Sequence, residues 1–597
     1  MKNNKQEQGA QVNAFTRGSQ IFMHSMRMCI QGTKASCMVS AISTGSFILW
    51  RVVEKLRLVD IYYFLVERFA VLKLDIGAIF YPGEEISIHF YSFVMKSWVK
   101  MSALKFTTIF WQGERGKLLL IFKKWIIRDA LAEISLVFSI GLLFSFGFFI
   151  YQGRKSIVRS KIRGADMVSP KELTMLLKKA KQASRMTISG LPLVKGSQRQ
   201  HMLITGTTGA GKTNMLNELL PQIRKRGEKA IVVDVTGSFV QQYFDSKTDL
   251  LLNPFDARSS NWLPWADCFD TCDYDAIATA ISPASSFHDS FWDTSSQNII
   301  SIALQKNQKE QDLRKFLDIL SKIPLEEYGG YFQDTDVASL TDPKGDKTTL
   351  SIRSTISNKV KVLKHLTQTD NPFSIKNYVL DESNQGWLFI SATPSQRETL
   401  APLISTQIEI VIKGLMMKSP TQLNANTWLI MDELAAFGQV PSLKTALSES
   451  RKFGGCIVAG IQNVHQLSAI YGQSQALNLL DQFSTRFIFR VGDPQTANIS
   501  SNLLGEIETL ETQQSVSFGA NTMRDGVNLN TFDKKRNLIL PTEIMNLSNL
   551  TCFVKLAGNW PIAKLTMQHN KTQIKNSIFI KKELAQDHSD KQELKSN

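Results

Sequence analysis

Residues 201–216, HMLITGTTGAGKTNML, carry a glycine at 206 and, four residues later, Gly211, Lys212 and Thr213. That spacing suits phosphate chemistry. Glycines let successive backbone N–H groups turn inward around phosphate oxygens, and a helix starting at the lysine adds the positive end of its dipole. In this reading Gly206, Thr207, Thr208, Gly209, Ala210, Gly211, Lys212 and Thr213 form the cradle. Lys212 reaches the β and γ phosphates, and the Thr213 hydroxyl ligates Mg2+. The flanks agree, because "HMLI" reads as a short strand and "TNMLNELLPQIRKR" as an amphipathic helix. ATP and Mg2+ are the expected cofactors.

Phosphoryl transfer also needs carboxylates, one for the metal and one for the attacking water. Residues 427–433, TWLIMDE, offer both at the end of an apolar strand: Asp432 for Mg2+ and Glu433 as the base. Two further apolar runs, AIVVDV (230–235) and GCIVAGIQ (455–462), end in polar residues. Polar side chains at the tips of buried parallel strands face the crevice where open α/β sheets bind ligands. Gln462 is therefore a candidate γ-phosphate sensor, the alternative being a glutamine that caps its loop. Asp234 is either an acid behind the metal site or a helix cap. Arg451, in SESRKFGGC, is either a solvated helix arginine or a finger that steadies transition-state charge in a neighbouring subunit.

Lys212 and Asp432 lie 220 residues apart, so something is inserted between them. Residues 265–385 read as mostly helical, with segments such as YDAIATAIS and DLRKFLDILSKI, until GWLFISAT (386–393) returns to the sheet. The expected fold class is α/β, a RecA-like P-loop NTPase with an inserted all-α subdomain, preceded by an N-terminal transmembrane helical hairpin. The expected boundaries place a cytoplasmic segment at 1–34 and a membrane anchor at 35–153. A basic juxtamembrane linker follows at 154–190. The nucleotide-binding domain takes 191–264 and 386–570, the all-α subdomain 265–385, and a polar tail 571–597.

The anchor rests on hydropathy and charge. Residues 134–153, ISLVFSIGLLFSFGFFIYQG, are 20 residues without a charge, close to the ~20 that a helix needs to cross a bilayer. Arg154, Lys155, Arg159, Lys161 and Arg163 follow, which places that end in the cytoplasm. An earlier run at 35–50 has 16 uncharged residues between Lys34 and Arg51, several of them Ser or Thr. The reading is two membrane helices, near 35–53 and 132–152, with both termini cytoplasmic and an external loop over residues 52–132. A cleaved signal peptide is disfavoured, because the apolar run starts far from Met1 and lacks a small-residue cleavage site.

Net charge sharpens the picture. The chain has 69 Lys and Arg against 53 Asp and Glu; residues 1–170 hold 23 and 11 of these, leaving 46 against 42 for the rest. The body is thus nearly neutral, and any nucleic-acid surface there must be a local patch. Arg258, Trp262 and Trp265 in NPFDARSSNWLPW are such a candidate, with buried packing as the favoured alternative. The six cysteines form no metal-ligand pattern, since Cys268 and Cys272 lack a second pair, and disulfides are not expected in a cytoplasmic body.

The segments ITGTTGAGKT, AIVVDVTGSF, LNPFDARSSNWLPW, GWLFISAT, RVGDPQTA and LAGNWPIAKL, with the long run from Trp428 to Gly472, resemble the coupling proteins of conjugative type IV secretion, the TraD and TrwB type. The resemblance runs over residues 190–565. It implies a hexameric ring ATPase at the bacterial inner membrane, multi-pass, with its body in the cytoplasm. It further implies single-stranded DNA, bound without sequence preference, relaxase and relaxosome proteins, and secretion-channel components as partners. Lys212, Glu433, Arg451 and Gln462 would be the catalytic set, with Arg451 at the position of the family's proposed arginine. A double-stranded DNA pump of the FtsK or HerA type, or a receptor for protein effectors, is the alternative. No long extension follows PIAKL, which leaves the docking partner open.

Overall fold

Parallel strands covered by helices on both faces read as near-continuous apolar runs, and this chain supplies seven, with polar residues near the strand ends. The computed structural model describes residues 2–156, 160–284, 290–420, 426–517, 526–570 and 572–582. They form two compact units, Met1–Ser160 with Leu510–Asp533, and Lys161–Thr509 with Lys534–Asn597.

The second unit is built on a ten-stranded sheet. In chain order its strands are β1 (Met167–Val168), β2 (Met202–Thr205), β3 (Lys229–Asp234), β4 (Leu250–Leu252), β5 (Leu388–Ser391), β6 (Thr427–Met431), β7 (Gly455–Ile461), β8 (Thr485–Ile488), β9 (Thr551–Lys555) and β10 (Ile562–Thr566). Their spatial order is β1-β10-β9-β8-β2-β7-β6-β3-β5-β4. From β8 to β4 every neighbour is parallel, while β9 pairs antiparallel with both β8 and β10. Every residue of β2, β3, β6 and β7 is buried. Helix α1 (Lys212–Lys225) follows β2 directly and buries Met215, Leu216, Leu219, Leu220 and Ile223 against one face.

Between β4 and β5 the described residues carry no strand. Helices there include α2 (Thr271–Ile281), α3 (Ser290–Lys306), α4 (Leu313–Ser321), α5 (Leu325–Phe332), α6 (Asp346–Val360) and α7 (Ile375–Leu380). Helix α8 (Arg397–Met416) follows β5. It is long and apolar enough to cross a membrane, but 72% of its apolar window is buried inside the protein, so it is a core element. Ile404, Ile408, Val411 and Leu415 join α2, α3, α4 and the lower sheet face in one hydrophobic cluster. Trp262 and Trp265 are buried there too, with Trp265 Nε1 donating to Leu304 O at 3.0 Å, and Arg258 pairs with Asp256. Packing, and not a nucleic-acid surface, is what these residues do. Cys268 is buried and Cys272 exposed, both as free thiols.

The first unit contains a 54-residue helix, Lys2–Lys55, and a helix Leu131–Ser156 packed against it. Each includes a stretch long and apolar enough to span a bilayer. The span expected near 35–53 is thus the end of a helix that begins far earlier. Buried Ser36, Ser40, Thr44 and Ser145 are small residues of the kind that let membrane helices approach closely. Arg51 bonds Glu133 at 3.1 Å. Residues 52–132, expected as an external loop, have secondary structure of their own. Helix Leu58–Phe80, a hairpin of Ser87–Ser92 with Ser97–Ser102, and helices Ala103–Gln112 and Glu114–Trp125 enclose a small core.

Part of the expected tail is ordered against the second unit. Lys575 N and Asn576 N donate to Gln241 O at 3.0 Å, and Ala257 N donates to Ile580 O at 2.8 Å. Residues 583–597 of that tail, and Arg159 of the basic flank, lie outside the described residues.

Candidate functional site

The sheet register brings the functional tips together. Ile461 pairs with Thr205, Met431 with Ala459, and Val233 with Met431, so β2, β7, β6 and β3 end at one level. The phosphate loop leaves β2, Asp432 and Glu433 leave β6, Gln462 leaves β7, and Asp234 closes β3. One glycine makes this alignment possible. A Cβ on Gly460 would run into the carbonyl oxygen of Asp432, so only glycine lets β7 lie this close to the end of β6.

Thr207, Thr208, Gly209, Gly211, Lys212, Thr213, Asp432, Glu433 and Gln462 line one cavity of about 320 Å³. Of the remaining sequence-predicted loop residues, Gly206 accepts the Lys212 bond from beneath, and Ala210 is fully buried behind it. Gly211 sits at φ 128°, with Phe489 only 2.9 Å from where a Cβ would stand, which fixes glycine at the helix entrance. Lys212 is buried; its Nζ donates to Gly206 O at 2.6 Å and Thr207 O at 3.4 Å. Burial pulls its pKa down, and the nearby Glu433 and Asp432 push it back up.

The carboxylates pay for their position. Burial raises the Asp432 pKa to about 6 from an ordinary 3.8; Lys212 opposes this, while Asp234 and Glu433 add to it. The nearby Thr213 hydroxyl lowers the Asp432 pKa in turn, so the two expected metal ligands stand side by side in the cavity wall. Glu433 is likewise raised, chiefly by burial, against Lys212 and hydrogen bonds from the Gln462 side chain and backbone. Asp432 Oδ1 and Glu433 Oε1 are buried without a hydrogen-bond partner among the described residues. An orphaned carboxylate oxygen beside a hydroxyl fits a divalent cation that completes its shell with phosphate oxygens and water. No cluster of three His, Cys, Asp or Glu side chains that could hold a metal occurs among the described residues.

Asp234 resolves as a cap. Its Oδ1 accepts from Gly237 N at 2.8 Å and Thr236 N at 3.1 Å, and its Oδ2 accepts from Phe239 N at 2.7 Å and Val240 N at 2.9 Å. Thr208 Oγ1 donates to Gln462 Oε1 at 3.3 Å, tying the loop to the β7 tip. Arg451 is exposed on the short turn Ser450–Phe453 and lies outside this chain's cavity.

Three of the wall residues lie outside every segment singled out in the sequence. Arg397, His569 and Leu550 join the cavity lining. His569 is held over α1 by its neighbours: Asn570 N donates to Asn214 Oδ1 at 2.8 Å, and Asn214 Nδ2 donates to Gln568 O at 3.0 Å. No motif marks these residues.

The family model of the type IV secretion-system coupling protein DNA-binding domain matches residues 185–568. Coupling protein TraD of Escherichia coli (strain K12) is 33% identical over 448 residues, 73% of this chain and 62% of that one. Protein VirD4 of Rhizobium radiobacter is 21% identical over 193 residues, 32% of this chain and 28% of its own. Among solved structures, plasmid coupling protein TrwB in complex with ADP and Mg2+ is similar with a TM-score of 0.63 and 26% identity, covering 71% of this chain and 98% of that chain. The chain thus spans less than two thirds of the length of TraD.

Proposed function

We propose a function that starts from membership: the chain belongs to the type IV secretion-system coupling proteins. It acts as a membrane-anchored ATPase that couples relaxase-bound DNA to a secretion channel and drives single-stranded DNA by ATP hydrolysis. The observation that carries this reading is the convergence of Lys212, Thr213, Asp432, Glu433 and Gln462 on one cavity at the tips of parallel strands. The solution of TrwB with ADP and Mg2+ supports the same cofactor pair here.

The chain's residues divide the work. The loop's N–H groups and Lys212 hold the β and γ phosphates. Thr213 and Asp432 would hold Mg2+, which when bound offsets charge on the transferring phosphoryl group. Glu433 accepts a proton from the attacking water, and Gln462, hydrogen-bonded to Glu433, keeps that carboxylate aimed. Arg451, exposed and outside its own cavity, reaches a neighbouring subunit's site in a homohexamer. The helices Lys2–Lys55 and Leu131–Ser156 form a two-span anchor in the bacterial inner membrane, with the second unit cytoplasmic.

The test is ATP hydrolysis by the full chain in detergent micelles at low salt, with and without single-stranded DNA. Turnover that rises with DNA, climbs steeply with protein concentration and vanishes in Lys212→Ala supports the motor. Turnover raised only by long duplex DNA, with plasmid transfer unaffected by Glu433→Gln, sinks it.

A further inference from the structure

The cavity contains a cation that the loop motif does not account for. Arg397 opens helix α8 and shares the cavity wall with Thr236, Asp432, Glu433 and Gln462. Its side chain is half-buried and forms no hydrogen bond or salt bridge among the described residues, although its charge acts through space to lower the Glu433 pKa. Beside it stand two carboxylates with unpartnered buried oxygens. The guanidinium feels Glu433 through space yet bonds neither carboxylate, which leaves its N–H donors open to a further partner.

Its backbone is fixed. Asn253 Nδ2 donates to Gln396 Oε1 at 3.2 Å, Thr393 N donates to the same oxygen at 3.2 Å, and Gln396 N donates to Thr393 O at 2.9 Å. The strand order then tells which end of a ligand Arg397 faces. The phosphate loop leaves β2, the carboxylates leave β6, and Arg397 follows β5, beyond β3. Arg397 therefore lies past the carboxylates as seen from the loop. A nucleotide whose inner phosphates sit on the loop presents only its last phosphate to that side.

Helix α8 leads away from this point into the insert. It packs on α2 and α7, where Val379 and Lys376 lie 3.3 and 3.4 Å from the position a Cβ on Gly414 would take. It is also tied to the segment that follows the carboxylates: Glu409 Oε2 accepts from Ser442 N at 2.8 Å, and Ser405 Oγ donates to Gln439 O at 2.5 Å.

Building on the nucleotide-site reading, we propose that Arg397 binds the terminal phosphate of a nucleoside triphosphate in its own subunit's site and, through helix α8, passes the presence of that phosphate to the helical insert. A guanidinium suits the task because it stays charged and can donate two parallel hydrogen bonds to phosphate oxygens. The arrangement also distinguishes triphosphate from diphosphate without a second subunit.

The test compares binding of a fluorescent non-hydrolysable ATP analogue and fluorescent ADP to the full chain in micelles, wild type against Arg397→Ala. A charge-assisted contact to one phosphate predicts a triphosphate affinity weaker by roughly tenfold or more, with ADP affinity changed less than about twofold. Arg397→Lys should regain part of the loss. Amide exchange over α2 and α7 should slow on adding the analogue to wild type and stay unchanged in the variant. Equal loss for both nucleotides, no loss for either, or an insert that responds identically in both proteins overturns the proposal. If the alanine variant does not fold, Arg397→Gln carries the same comparison. The nucleotide-site reading fails separately, in a wild-type protein that binds neither ligand or in a Lys212→Ala variant that binds both normally.

Discussion

The nucleotide cavity and the small core of residues 56–131 are held together in opposite ways. Around the cavity, polar groups stand at the ends of strands whose interiors are buried without exception, so the fold is secured elsewhere and the tips are free to do chemistry. In the small core the distinctive residues are the fold. Tyr63, Phe90, Phe106 and Phe110 meet edge-on or stacked, with the Phe90 and Phe106 ring centroids 4.5 Å apart, and Trp111 Nε1 donates to buried Glu67 Oε1 at 3.0 Å. The hairpin beneath them buries only alternate residues of one strand. A site can thus be altered without unfolding in the first case, whereas in the second almost any change to the aromatic set is a change to stability.

The comparison can be broken. Glu433→Gln should lower ATP turnover by about 10²–10⁴-fold, the usual worth of a general base, while nucleotide affinity and melting temperature stay near wild type. A large fall in melting temperature would mean the tips are structural after all. Next in size, Phe106→Ala removes a buried ring from a small cluster, at a cost of about 3–5 kcal/mol. Limited proteolysis should then cut within residues 56–131, with nucleotide affinity unaltered; resistance to cleavage would show that the helices alone hold that region.

The smallest effect concerns a tip that carries a stability penalty. Because the Asp432 pKa is raised to about 6, the folded protein takes up a proton that the unfolded chain releases between pH 6 and 4. Nucleotide-free protein should therefore gain stability as pH falls through that window, by about 1–3 kcal/mol from this group. Asp432→Asn should flatten the slope and raise the melting temperature at pH 7 by roughly 2–4 °C. The affinity of wild type for Mg-nucleotide should move the other way and drop below pH 6, since a protonated carboxyl is a poor ligand. A melting temperature that is flat with pH in wild type would count against the buried-charge account.

Legibility follows the same division. Strands buried on both faces read as unbroken apolar runs ending in a polar residue, which is why β2, β3, β6 and β7 and their tips could be found from the chain alone. Asp234 could be placed but not interpreted, because a helix cap and a metal-site acid occupy the same strand end. Arg397 was hidden by ordinariness. SQRETL looks like any helix start, and only folding shows that β5 aims it at the carboxylates. Helix α8 meets the length and hydropathy of a membrane span, and only its packing identifies it as core. Residues 52–132 read only as an external loop, because the aromatic rings that enclose their core come from positions far apart in the chain.

The helical insert leaves the sheet from β4 and rejoins it at β5, two strands that lie side by side at one edge, with Leu250 N donating to Trp387 O at 2.8 Å. In evolutionary terms this makes the insert a cassette. Its two attachment points are neighbours, so what lies between them can be lengthened, shortened or replaced while the phosphate loop, several strands away, keeps its geometry. The same economy offers engineers a splice point at which a foreign recognition module can be grafted beside an intact phosphate-loop site.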